Sequence, residues 1–161
     1  MRSPELPWAG GCRCGRMRFM VRSAPILTYA CHCRGCQRIS GSAFSLTASF
    51  LLTAFAITEG EPALGGLHGE HRNFFCSHCK SWLFTRPAGL EWVVNVRATT
   101  LDDASWYQPF AEFYTSEKLP WAATSAVQSF AAFPDPNETE PLVKAYLAQQ
   151  TREIGEDPAK G

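Results

Sequence analysis

Between Ala43 and Phe50 the chain alternates, with Phe44, Leu46, Ala48 and Phe50 apolar and Ser45, Thr47 and Ser49 carrying hydroxyls between them. A period of two predicts a half-buried β-strand. The surrounding stretch, Ile39 to Thr58, has no charged residue over twenty positions, about the length of a membrane-spanning helix. Its alternation and its seven hydroxyl side chains argue against that reading, so no transmembrane segment is expected. Shorter β-like runs stand at Met17–Val21, Ile26–Ala30 and Phe55–Thr58. Gly60 to Gly69, with four glycines and a proline, reads as a loop. Asn73-Phe74-Phe75 leads into Cys76 and Trp82-Leu83-Phe84-Thr85 leads away from Cys79, which predicts a hairpin with those cysteines at its tip. Further strands are expected at Glu91–Arg97 and Glu112–Thr115.

After Pro134 and Pro136 the period changes. Pro141, Leu142, Val143, Tyr146 and Leu147 form an apolar stripe at helical spacing, with Thr139 as the expected cap. Residues from Glu153 onward read as a frayed polar tail. The expected organisation is one mainly β domain over residues 1–136, then a short C-terminal helix and tail over 137–161.

Composition changes this picture little. At 161 residues, 45% hydrophobic and 12% aromatic, the chain suits one domain with a real core. Fifteen basic residues balance fifteen acidic ones, and seven thiolates against two divalent ions would bring the total to −3. A nucleic-acid partner is therefore not expected. Met1–Gly10 has Arg2, Glu5 and two prolines but no apolar core, so a secretory signal is not expected either. A cytoplasmic location follows as an expectation, and in that compartment clustered cysteines bind metal more often than they form disulfides.

The cysteines fall into three groups: Cys12-Arg13-Cys14, Cys31-His32-Cys33-Arg34-Gly35-Cys36 and Cys76-Ser77-His78-Cys79. Zinc holds thiolates at about 2.3 Å in a tetrahedron, so ligand sulfurs lie roughly 3.7 Å apart. Neither doublet can fill a tetrahedron alone, but two doublets can, and the triplet can give one ion three ligands. Seven cysteines then divide into a closed four-thiolate site and a three-thiolate site with a free position. Structural disulfides, a thioredoxin-like pair at Cys76 and Cys79, and closure of the triplet by His68, His71 or His78 are the competing arrangements. His32, between two ligands on an extended segment, is expected to point away.

Gly10-Gly11-Cys12-Arg13-Cys14-Gly15, Cys31-His32-Cys33-Arg34-Gly35-Cys36 followed by Ser40-Gly41-Ser42-Ala43-Phe44, and Phe75-Cys76-Ser77-His78-Cys79 together resemble the glutathione-dependent formaldehyde-activating enzyme family, which shares its domain with centromere protein V. Leu101-Asp102-Asp103 and Leu119-Pro120-Trp121 are similar to later family segments, so the resemblance runs from about Pro7 to Phe133. It implies a β-tent of coiled antiparallel sheets around a structural zinc. It assigns Cys12, Cys14, Cys76 and Cys79 to that zinc, and Cys31, Cys33 and Cys36 to a second, catalytic-type zinc. The implied activity is condensation of formaldehyde with glutathione to S-hydroxymethylglutathione, classed in reverse as a carbon–sulfur lyase, so a small thiol and an aldehyde are the expected partners. One position departs from the pattern. Family members usually carry glycine after the last knuckle cysteine, where positive φ is common, and here it is Lys80.

A zinc with a free position can keep a substrate thiol ionised and polarise an aldehyde. Glutathione carries carboxylates, so Arg34 and Arg38 are the candidate cationic rim, with Ser40 and Ser42 as hydrogen-bond donors. Asp102-Asp103 reads as a turn, and Trp82, Trp92 and Trp106 as core. The alternative to an enzyme is a non-catalytic, zinc-stabilised module that binds a thiol or a protein.

Overall fold

A computed structural model describes residues 4–155. Among the described residues eleven strands form two sheets. The smaller is antiparallel, in the order β1-β2-β5, from Trp8–Gly11, Arg18–Val21 and Phe55–Glu59. The larger has eight strands in the order β11-β10-β3-β4-β9-β8-β7-β6. Its members are β3 (Leu27–Cys31), β4 (Ser45–Leu51), β6 (Pro62–His68), β7 (His71–Cys76), β8 (Trp82–Arg86), β9 (Val93–Arg97), β10 (Ala111–Phe113) and β11 (Gln128–Ser129). Pairing is antiparallel from β3 to β6, whereas β10 runs parallel to both β3 and β11. The mainly β expectation holds.

The two sheets enclose an apolar core. Phe19 and Val21 from β2 meet Ala48 and Phe50 from β4, Val94 and Val96 from β9, and Phe84 from β8. β1 lies so close that a Cβ on Gly10 would sit 2.4 Å from the Phe19 ring and 2.6 Å from the Thr100 carbonyl. Only glycine fits there.

Three elements differ from the sequence reading. The glycine-rich Gly60–Gly69 stretch contains β6, whose edge position beside β7 tolerates glycines and a register shift between Gly65 and His68. A helix not foreseen, α1 (Arg34–Ser40), grows from the cysteine triplet and ends on Gly41 with φ 61°. The C-terminal helix α2 (Pro136–Gly155) is twenty residues long. Its cap is Asp135, which accepts from the amides of Asn137 and Glu138 while its own amide donates to Glu138, and Thr139 falls inside the first turn. The expected tail begins at Glu153, but α2 continues through Gly155, and residues 156–161 lie outside the described residues.

α2 packs Leu142 and Tyr146 against Leu27 and Phe110 in a second apolar cluster. That cluster also contains Cys31, Cys33 and Cys36. No helix among the described residues is long and apolar enough to cross a membrane.

Candidate metal centres and the cleft beside them

Cys12 and Cys14 lie on the turn between β1 and β2, and Cys76 and Cys79 on the tip of the β7–β8 hairpin. Their sulfurs gather within 4.8 Å of one another. The Cys12–Cys14 and Cys14–Cys76 separations are 3.5 and 3.8 Å, the edge length a zinc–thiolate tetrahedron needs. Amide and hydroxyl donors surround them: the Met17 amide reaches the Cys12 sulfur at 3.2 Å, and Ser81 Oγ lies 3.2 Å from the Cys79 sulfur. Hydrogen bonds from Ser81 pull the Cys79 thiol down to about 5. The donor set and spacing fit a divalent ion taking four thiolates. Lys80, after the knuckle, adopts φ 61°, the left-handed conformation in which glycine is usual.

Cys31 ends β3, Cys33 caps the N-terminus of α1 and Cys36 sits in its first turn. A strand-to-helix reversal thus brings three sulfurs within 4.8 Å, all nearly buried. The Cys33 sulfur accepts from the Cys36 amide at 3.3 Å. The thiols share protons unequally. Hydrogen bonds from Cys31 and Cys33 pull Cys36 down to about 3, and Cys31 is pushed well above the ordinary thiol value. A metal bound here would take all three as thiolates and release their remaining protons.

Among the described residues no histidine joins either group. His32 is fully buried and turned away, with Nε2 3.1 Å from Glu112 Oε2. A carboxylate only accepts, so Nε2 carries the hydrogen, and burial holds the ring below its usual pKa. His71 lines the same cleft as the triplet but stands outside its sulfur cluster, and His78 is an exposed turn residue at the other site. The His68 side chain lies outside the described residues.

The triplet opens onto a cleft of about 510 Å³. Its floor is one face of the large sheet. Ser45 and Thr47 of β4, Asn95 and Arg97 of β9, Thr85 of β8 and Asn73 of β7 alternate with the core residues and line it. Ser45 and Thr47 of the β4 hydroxyl stripe therefore face this cleft, and the whole stripe is buried. Ser49 donates to Asn95, and Thr85 to Asn73, both at 2.7 Å.

Trp82 is half-buried: it packs against the second apolar cluster and also lines the cleft. Partners jump from Phe84 to Trp82 opposite Phe74 and Phe75, so Leu83 is the extra residue of a β-bulge and Trp82 turns to the cleft face. The Arg97 guanidinium stacks on it, 4.1 Å from the ring centroid. Trp92, at the turn before β9, is 56% exposed, while Trp106 is core as expected.

Of the expected rim, Arg34 lines the cleft. Arg38, Ser40 and Ser42 do not, because α1 carries them past the mouth, where all three are exposed and Ser40 donates to the Cys36 carbonyl. Asp102 ion-pairs with Arg18, tying the loop after β9 to β2. Sequence reasoning missed Arg97, Asn95, Asn73 and Thr85. The signal was there: Asn95 and Arg97 stand two apart on one face of a valine-rich strand.

The model of the glutathione-dependent formaldehyde-activating enzyme family matches residues 7–117. No curated protein matches the chain. Among solved structures, the crystal structure of a Rhodobacter sphaeroides protein is similar at 18% identity and a TM-score of 0.49, covering 58% of this chain and 87% of that one.

Proposed function

The chain belongs to the glutathione-dependent formaldehyde-activating enzyme family, and from that premise we propose that it is a zinc-dependent carbon–sulfur lyase, forming or cleaving a glutathione–aldehyde adduct of the S-hydroxymethylglutathione type. Cys12, Cys14, Cys76 and Cys79 hold a structural zinc. Cys31, Cys33 and Cys36 would hold a second. The observation that carries this reading is that the triplet lines the 510 Å³ cleft and the quartet does not. Four thiolates saturate zinc, whereas three leave room for a further ligand.

When bound, the second zinc supplies a site that keeps a thiol ionised at neutral pH. The chain does the rest. The Cys33 sulfur, tied to the Cys36 amide, holds the triplet in shape. Trp82, Tyr114 and Phe133 wall the cleft and shield the reacting sulfur from water. In the forward direction one carbon–sulfur bond forms, the carbonyl becomes a hydroxyl and the thiol proton ends on that oxygen; the reverse releases aldehyde. No oxidant or reductant is needed.

Zinc analysis with Cys33→Ser kinetics tests this. Two zincs per chain, one easily stripped, and adduct turnover abolished in the variant are expected. One tightly held zinc and no turnover of any thiol–aldehyde adduct would instead indicate a non-catalytic binding module.

A further inference from the structure

The cleft contains a buried cation that the lyase chemistry above leaves unused. Arg97 is 7% exposed, and among the described residues no carboxylate pairs with it. Its Nε–H has no partner, and one terminal nitrogen donates to the Asn95 carbonyl at 3.2 Å. Trp82 holds the guanidinium from one side and is itself stacked on Phe75, with ring centroids 6.2 Å apart and planes at 15°. The fork is therefore fixed before any ligand arrives, so little freedom is lost when it is engaged. The cysteine triplet in the same cleft is a negative group whose field reaches Arg97, but no acceptor meets the buried Nε–H, and a buried donor left unpaired is costly. Among the described residues the single acid lining the cleft, Glu117, is engaged by the Arg34 amide.

We infer that Arg97 binds a carboxylate of the thiol substrate, and that the cleft thereby selects thiols bearing a carboxylate over neutral thiols. The inference rests on the lyase reading for its substrate thiol, and it moves recognition from the hydrated rim at Arg34 and Arg38 to the floor. A guanidinium suits this task because its planar fork can meet both carboxylate oxygens.

The probe pair is S-methylglutathione, whose capped sulfur cannot act as a thiolate, and its dimethyl ester. Binding to the zinc-loaded protein is read by titration calorimetry. Wild type should bind the acid at least about tenfold more tightly than the diester. Arg97→Gln should reduce that ratio to near one, Arg97→Lys should keep part of it, and Arg34→Gln should leave most of it. Equal binding of acid and ester by wild type, which needs no variant to fold, overturns the inference. So does failure to bind the acid, loss of the ratio in Arg34→Gln, or a ratio that survives in Arg97→Gln while zinc retention falls. Adduct turnover is measured in parallel. Turnover without carboxylate preference sinks this inference and leaves the lyase reading intact; carboxylate-dependent binding without turnover does the opposite.

Discussion

Glu112 is the most heavily engaged acid among the described residues, and replacing it with glutamine should be expensive in a pH-dependent way. Its carboxylate, 8% exposed on β10, accepts from His32, from Lys118 at 2.8 and 3.1 Å, and from Thr124 and Ser129 at 2.9 Å each. Burial alone would raise its pKa, but these donors outweigh it and hold the group at about 2 against an ordinary 4.5. A folded-state pKa below the unfolded one contributes stability above the unfolded value, and that stability is lost as pH falls through the folded value. The displacement corresponds to about 3 kcal/mol at neutral pH. Glu112→Gln keeps the shape, removes the charge and turns an amide hydrogen toward donors, so a loss of about 2–3 kcal/mol at pH 7 is expected. Urea unfolding of both zinc-loaded proteins, run side by side, measures it. Acid strips thiolate-bound metal from both, so the quantity to follow is their difference. It should shrink between about pH 5 and pH 2, as the wild-type carboxyl is protonated and comes to resemble the amide. A difference below about 0.5 kcal/mol at pH 7, or one unchanged by acid, would refute the reasoning.

Other outcomes follow from single contacts. Cys76→Ser removes a fully buried sulfur from the quartet and should abolish cooperative folding together with about one zinc per chain, read by metal content and circular dichroism. Gly10→Ala drives a methyl into the Phe19 ring and the Thr100 carbonyl and should cost about 2–4 kcal/mol in urea, whereas a loss under about 1 would show that β1 yields easily. Lys80→Gly relieves a left-handed residue but gives up the Nζ bond to the Ser77 carbonyl at 2.7 Å. Its expected effect is a gain of up to about 1 kcal/mol, seen as a small rise in Tm, and a clear drop would show that the hydrogen bond dominates.

The sulfur chemistry was legible because spacing encodes it. Doublets and a triplet can fill tetrahedra in few ways, and the hairpin around Cys76 and Cys79 was visible in its flanking apolar runs. The alternation on β4 correctly gave a strand, but period two says only that two faces differ. It cannot say that the hydroxyl face of Ser45 and Thr47 borders a cleft, because that depends on what β9 and β8 place beside it. That Trp82 lines the cleft was hidden for a related reason: one bulged residue, Leu83, reverses its side, and bulges leave no periodic trace. The glycines of β6 signalled a loop because local propensity does not register the partner strand β7. α1 escaped because its seven residues, with Cys36 inside and Cys33 as the cap, carry no apolar stripe, and its start is set by the turn that gathers the sulfurs.

The central claim is that the triplet holds a metal with one position free for a substrate thiol, and the most direct test replaces zinc by cobalt and follows thiolate-to-cobalt absorption during titration with glutathione. The account predicts that the charge-transfer band grows on addition and saturates at one equivalent per chain, with no growth in Cys33→Ser. A spectrum of full four-thiolate intensity at both sites before glutathione is added, or one that glutathione leaves unchanged, would contradict it.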